Sequence, residues 1–318
     1  MRPKIFKNLD EQIGILREKG LTISNESYAK EVLLRENYFF LNGYRYPFLK
    51  SLNNKVFIPG TTFEEYYSLF LFDRKLRNIV FKNILIIENN IKSIISYQLS
   101  KKYGHKEKDY LNPNNFNTSP EKRRQVNDLI AKMKRQIKNN AMQHSATMHY
   151  TNKYGYIPMW VLVKVLSFGI VSELFSILKK EDQYDIMDIY DLDPDIFCNY
   201  LSILSNYRNL CAHEDILYEN RTQKEIGDTK YHRLLNIPIM NNEYIYGKND
   251  LFALVIILKS LLKPEEIKDF VLEVKGCVDN LEYNLRSIPI NKILDRMGFP
   301  LNWMDIVDCN KGVEENER

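Results

Sequence analysis

The chain has 318 residues, of which 44% are apolar and 27% are charged, and its formal net charge is +4. This composition is ordinary for a soluble protein, and the mild basicity permits nucleic-acid binding without demanding it. Twelve glycines and eleven prolines are few for this length, which argues against an all-β protein with many tight turns. The four cysteines form no CxxC pair, so the spacing of a zinc knuckle is absent.

Apolar residues recur at intervals of three and four, and capping residues punctuate them, which predicts a mainly helical chain. In chain order, the predicted helices cover residues 9–20, 24–37, 62–102, 121–141, 158–179, 194 to the Arg208 segment, 249–262 and 264–285. Between them we expect an aromatic turn at 41–48, a loop at 111–119 and an irregular polar stretch at 222–248. Pro120, Pro158, Pro194 and Pro264 are each expected to open a helix.

The most hydrophobic stretches, 157–178 and 251–262, carry charges or are too short, so no membrane span is expected. No secretory signal precedes the first predicted helix, and the cysteines read as reduced thiols. Together these features predict a cytoplasmic protein.

The segment Arg208-Asn209-Leu210-Cys211-Ala212-His213 is the strongest candidate for chemistry. Histidine transfers protons near neutral pH, and arginine holds a phosphate with a planar fork. In RNA cleavage the 2′-hydroxyl is the nucleophile, so this pair needs no metal or cofactor. Residues five apart on a straight helix lie about 140° apart, so Arg208 and His213 converge only if the helix bends or ends between them or if they face a shared cleft. In a dimer, two such pairs can meet across a two-fold axis. The alternative is a basic helix end that faces solvent.

Other residues compete for a functional role. Basic side chains on one arc of the 121–141 helix predict an RNA-binding groove or a solvated face, and they are Arg123, Arg124, Lys134, Arg135 and Lys138. The aromatic residues Tyr38, Phe39, Phe40, Tyr44, Tyr46 and Phe48 are interpreted as core packing, with base stacking as the alternative. His144 and His149 lack a third metal ligand at a suitable spacing. Cys211 is a poor nucleophile candidate because residues i and i+2 of a helix do not face each other.

Several short motifs occur in one order along nearly the whole chain. They are Glu11-Gln12-Ile13, Asn42-Gly43-Tyr44 with Pro47-Phe48, Phe72-Asp73-Arg74-Lys75-Leu76-Arg77, Ile87-Glu88, His149-Tyr150 with Pro158-Met159-Trp160, Ser167-Phe168-Gly169, the Arg208–His213 segment followed by Asn220-Arg221, and Met297-Gly298-Phe299-Pro300 with Trp303. In this order they resemble the motifs of bacterial abortive-infection proteins of the AbiD/AbiF type, which belong to the HEPN superfamily. Lys92 and Lys164 depart from that pattern, which has Arg and Glu at these places.

The resemblance implies an all-α fold, a HEPN-type helical bundle with additional N-terminal and C-terminal helices. Residues 1–60 are then an N-terminal helical and aromatic segment packed on the core, 61–307 the HEPN-like domain and 308–318 a polar tail. It also implies a homodimeric endoribonuclease toxin of phage defence, with Arg208, Asn209 and His213 as catalytic residues. Glu88, Lys92, Asn220 and Arg221 are expected to support them. RNA is the expected partner, as substrate and as a noncoding regulator; the alternative is a protein that holds a structured RNA without cutting it.

Overall fold

The structure is a computed structural model that describes residues 5–51, 53 and 55–309. Within this part of the chain, helices dominate and confirm the all-α prediction. The α-helices are α1 (Leu9–Glu18), α2 (Glu26–Glu36), α3 (Tyr38–Asn42), α4 (Phe63–Tyr103), α5 (Glu107–Tyr110), α6 (Arg123–Asn140), α7 (Ser145–Tyr154), α8 (Met159–Leu162), α9 (Phe168–Ile177), α10 (Lys180–Met187), α11 (Pro194–Ala212), α12 (Lys230–Leu234), α13 (Leu251–Leu261), α14 (Pro264–Asn284) and α15 (Asn291–Met297). Short 3-10 turns cover Gly43–Phe48, Pro113–Asn115 and Trp303–Val307.

Two antiparallel hairpins supply the strands of the described residues. The first pairs β1 (Leu49–Ser51) with β2 (Val56–Phe57), so that Leu49 lies opposite Phe57. The second pairs β3 (Ile239–Met240) with β4 (Glu243–Tyr244). Its turn residues, Asn241 and Asn242, both have positive φ angles, which asparagine tolerates better than most residues do. This hairpin lies in the stretch that we predicted to be irregular.

Helix α4 is the axis of the bundle. Its 41 residues make a rod about 60 Å long, and it begins where the Thr62 side chain accepts a hydrogen bond from the Glu65 N–H. Helices α8, α10, α11 and α14 all pack against it. Helix α13 is buried at every position, in keeping with its almost wholly apolar sequence. One hydrophobic cluster runs from Ile13 to Ile306 and includes the N-terminal segment.

Three sequence predictions about helices were wrong in detail. The helix predicted at 158–179 is two helices, because the Ser167 side chain accepts a hydrogen bond from the Ile170 N–H and starts α9. Helix α6 starts at Arg123, so Pro120 does not occupy its first turn. The short helices α7, α10 and α15 were not predicted; each has ten residues or fewer and carries only a short apolar pattern.

The division at residues 60 and 307 stays a prediction, and most of the predicted polar tail lies outside the described residues. As for membranes, the described helices include none whose length and apolar character suit a bilayer crossing.

Gly298 provides a test of the packing at the C-terminal end. It follows α15 with a φ of +75°, and a Cβ atom there would collide with the carboxylate of Asp250. That carboxylate cannot easily move, because it accepts hydrogen bonds from the N–H groups of Gly247 and Ala253. We expect Gly298→Ala to lower the free energy of unfolding by about 3 kcal/mol in urea titrations.

The matched control is Gly155→Ala. Gly155 has a similar φ of +73°, but a Cβ atom there meets nothing within 4 Å. Gly155→Ala therefore introduces only backbone strain and should lower the free energy of unfolding by about 1 kcal/mol. Equal losses in the two variants would contradict the proposed collision with Asp250.

Candidate functional site

The Arg208–His213 segment is the end of α11. This helix begins with Pro194 in its first turn, capped by the side chain of Asp193. It ends at Ala212, and the N–H of His213 donates to the carbonyl of Asn209 at 3.0 Å. The helix therefore stops before His213, which is the helix end that the spacing of the pair required.

Arg208 is held against α4 by two contacts. Its guanidinium carbon lies 5.6 Å from the centre of the Phe81 ring, and its Nε lies 3.9 Å from a carboxylate oxygen of Glu88. The other Glu88 oxygen accepts a hydrogen bond from Lys92 Nζ at 2.6 Å. Glu88 is buried and lies near two cations; its contact with Arg208 is a loose ion pair without a hydrogen bond, and 34% of the Arg208 side chain stays exposed. Lys92, which departs from the family pattern, thus keeps an ion pair with Glu88.

His213 is exposed and lies in a different environment. It lines a groove of about 570 Å³ between α4 and the N-terminal segment. Other lining residues are Glu36, Phe39, Phe40, Tyr46 and Arg74. Arg74 binds Glu36 through two hydrogen bonds, at 2.9 and 2.6 Å, which lower the pKa of the Glu36 carboxyl below its usual value. The ion pair of Arg74 with Glu36 thus forms part of the wall of the groove.

The predicted aromatic turn divides between the core and this groove. Tyr44 and Phe48 are buried, as the core-packing interpretation predicted. Phe39 and Phe40, in contrast, are exposed and lie in the groove beside His213. The alternation along α3 and the following turn places some rings in the core and leaves others on the surface.

A buried network fixes the chain that follows His213. The Asp73 carboxylate accepts hydrogen bonds from the N–H groups of Leu217 and Tyr218, at 3.1 and 2.8 Å. It also accepts from the Tyr44 hydroxyl, whose pKa burial raises, and from the Arg77 guanidinium. The Phe72-Asp73-Arg74 motif marks Asp73 in the sequence, but spacing along one helix predicts only its ion pair with Arg77 and not its bonds to Leu217 and Tyr218.

Arg208 and His213 do not meet within one chain. Along α4, the contacts of Arg208 at Phe81 and Glu88 lie up to fourteen residues, or about 21 Å, from Arg74 in the groove of His213. In the described residues no hydrogen bond joins Arg208 to His213, and Asn209 is an exposed neighbour of both. Within one chain the two side chains therefore meet different parts of α4.

Asn220 and Arg221, which we predicted to support the catalytic residues, lie away from Glu88. Asn220 lies beside the hydroxyl of Tyr207, and Arg221 interacts electrostatically with the Asp250 carboxylate. The Tyr207 hydroxyl also donates to the carbonyl of Asp250, at 3.0 Å. These contacts join α11 to the start of α13. Among the described residues, no hydrogen bond links Asn220 or Arg221 to Arg208 of the same chain.

The predicted basic groove lies on α6. Arg123, Arg124, Lys134, Arg135 and Lys138 are all exposed there. Arg124 makes a loose ion pair with Asp128 at 3.8 Å. Helix α9 packs against both α6 and α11 and so connects the basic helix to the helix of Arg208.

The remaining candidates have structural roles. Burial raises the pKa of the Cys211 thiol to about 12, which leaves almost no thiolate at neutral pH. His144 caps α7, because its ring accepts the Ala146 N–H. Across the described ranges, no group of three or more His, Cys, Asp or Glu side chains is placed to hold a metal ion.

Comparison with known proteins supplies the family. No curated protein and no solved structure matches the chain. A family model described as Abi-like protein matches residues 31–219, more than half of the chain. The matched part spans α4, α11 and the buried Asp73 network, and it includes Arg208, Asn209 and His213. The chain therefore belongs to the Abi-like protein family, a family of abortive infection.

Proposed function

We propose that this protein is a metal-independent endoribonuclease toxin of the HEPN type that acts in the cytoplasm during abortive infection. His213 transfers protons to and from the reacting oxygens of the RNA. Arg208 holds the scissile phosphate and offsets the charge that develops in the transition state. Asn209 orients the phosphate or His213 by hydrogen bonds. The products are a 2′,3′-cyclic phosphate and a 5′-hydroxyl.

The observation that carries the proposal is the arrangement at the end of α11. Glu88 and Phe81 hold the stem of Arg208, while its exposed fraction remains free to meet a ligand. Five residues on, an exposed imidazole follows the last turn of the same helix. A partly exposed guanidinium and an accessible imidazole are the two groups that cleavage by the 2′-hydroxyl needs.

The same geometry supports a homodimer. Within one chain Arg208 and His213 meet different parts of α4, so we expect a compact site to form with a second copy across a two-fold axis. In that dimer, Arg208 of one chain lies beside His213 of the other. The exposed residues Asn209 and Ala212 lie between them on the helix and provide a surface for the contact.

A second candidate function is supported by α6. Its five exposed basic side chains suit a structured RNA that is bound through phosphates and not cut. In this alternative the RNA is a noncoding partner, and Arg208 and His213 contact phosphate only. Cleavage and holding differ in one measurable respect, the appearance of new RNA ends.

The test is cleavage of purified cellular RNA by the purified protein in excess EDTA. We expect undiminished cleavage, because neither proton transfer by His213 nor phosphate binding by Arg208 uses a metal. The new 5′ ends should accept phosphate from a polynucleotide kinase without prior dephosphorylation, as hydroxyl ends do. Loss of cleavage in EDTA would contradict the metal-independent mechanism, and tight binding without new ends would favour the holding function.

A further inference from the structure

A group of aromatic side chains lies on the surface where the end of α4 meets α7 and α8. We call it the aromatic surface, and its rings are Tyr97, His105, Tyr150, Tyr154, Tyr156 and Trp160. All of these rings except Tyr97 form a connected series, in which His105 lies 6.1 Å from Trp160 and 5.4 Å from Tyr156. Tyr97, His105 and Trp160 also line a pocket of about 460 Å³.

The rings are accessible, which is unusual for so many large side chains together. Tyr97 is 65% exposed, Tyr154 is 47% exposed and Trp160 is 45% exposed. Isolated exposed aromatics need no explanation, but a contiguous group of them marks an interaction site. The core does not require these faces, since they point to solvent.

Lysines accompany the rings. Lys106 Nζ lies 5.5 Å from the centre of the Tyr156 ring, and Lys153 Nζ lies 5.3 Å from that of Tyr154. Lys101 lines the pocket, and among the described residues of its lining no side chain is acidic. A ligand for this surface therefore combines flat faces with negative charge. Protein interfaces are depleted in lysine, which makes a protein partner the poorer fit.

We propose that the aromatic surface binds single-stranded RNA, with unpaired bases stacked on its rings and phosphates beside Lys101, Lys106 and Lys153. Stacking on aromatic side chains with a basic groove beside them is how proteins hold unpaired nucleotides without strong sequence choice. A duplex hides its base faces and cannot use the rings. This inference rests on the proposed function for the biological role of the RNA, although the binding itself does not depend on cleavage.

The surface adjoins the candidate catalytic segment along α4. Ser96 lines the pocket and lies one helical turn beyond Lys92, which pairs with the Glu88 that contacts Arg208. From Glu88 to Ser96 the helix rises about 12 Å. The aromatic surface and the Glu88 that contacts Arg208 are therefore about two turns apart on the same helix.

The test uses the His213→Ala background, so that RNA remains intact during binding. The chain has two tryptophans, and the other one, Trp303, is only 4% exposed. We expect a 12-nucleotide oligouridylate to quench the fluorescence of Trp160. Trp160→Phe should keep most of the affinity but lose the quenching, since a phenyl ring still stacks. Trp160→Ala should weaken binding about tenfold, as loss of one stacked base does.

Two further variants separate stacking from folding and from charge. Tyr97→Ala changes the most exposed ring and should also weaken binding about tenfold. Replacing the three lysines with alanine should reduce the slope of log affinity against log salt by about 2. Tyr283→Ala is the matched control, because Tyr283 is an exposed ring on α14 with Arg286 beside it and lies outside the surface. It should bind as the parent does, and all variants should keep the parent's circular dichroism spectrum.

Several results would overturn the inference. They are equal affinity for a 12-base-pair RNA duplex, unchanged affinity in folded Tyr97→Ala and Trp160→Ala, binding of anionic vesicles in place of RNA, and dissociation of a dimer by Trp160→Ala. If the wild-type protein fails to cleave RNA but Trp160 is still quenched, the proposed function fails and the binding surface stands. If the wild-type protein cleaves RNA but Trp160 is not quenched, the proposed function stands and the binding surface fails.

Discussion

Replacing His213 with alanine is expected to slow RNA cleavage by about 10²–10⁴-fold, the usual contribution of a general acid or base. The fold should be unaffected, because the His213 side chain is exposed and only its backbone N–H closes α11. The measurement is the rate of cleavage of a labelled RNA at saturating protein. Thermal unfolding of the same samples checks that structure is retained.

Two comparisons sharpen this result. Arg233→Ala removes an exposed cation at the end of α12, outside the groove, and should leave the rate unchanged. Mixing His213→Ala with Arg208→Ala protein should restore part of the activity, because a mixed dimer contains one intact Arg208 beside one intact His213. Normal cleavage by His213→Ala would refute the site, and failure of the mixture to recover would refute pairing across the dimer.

The second large effect is expected at Asp73. Asp73→Ala should lower the free energy of unfolding by about 3–5 kcal/mol, the cost of leaving one partner of a buried ion pair alone. Arg77 keeps its charge and is almost fully buried, and the N–H groups of Leu217 and Tyr218 lose their acceptor. Since those two residues fix the chain after His213, cleavage should fall as well. Urea titration measures the first effect and the RNA assay measures the second.

A double-mutant cycle and a surface pair serve as controls. Asp73→Ala combined with Arg77→Met removes both charges, so the double variant should be more stable than the sum of the single losses predicts. Asp279→Ala breaks a helical ion pair with Lys275, which is about half exposed, and should cost no more than about 0.5 kcal/mol. Additive losses at Asp73 and Arg77 would show that the buried pair does not act as a unit.

The helical class, the extents of the long helices and the segment that carries the candidate chemistry could all be predicted from the order of the residues. Helices α4, α11 and α14 were predicted within a few residues, because each has a long apolar repeat with a capping residue or proline at its start. The order of the short motifs was enough to indicate the family. These features are local, so a reading along the chain can find them.

The contacts of the candidate residues could not be predicted in this way, because they join distant parts of the chain. The bond from Leu217 to Asp73 joins residues 144 positions apart, and no periodicity encodes that pairing. The same is true of the contact between Glu88 and Arg208, and of the groove that gathers Phe39, Arg74 and His213 from three segments. The spacing of Arg208 and His213 indicated that the helix bends or ends between them if they converge. Which part of α4 each side chain meets depends on the packing of α11 against its neighbours, so the spacing could not predict it.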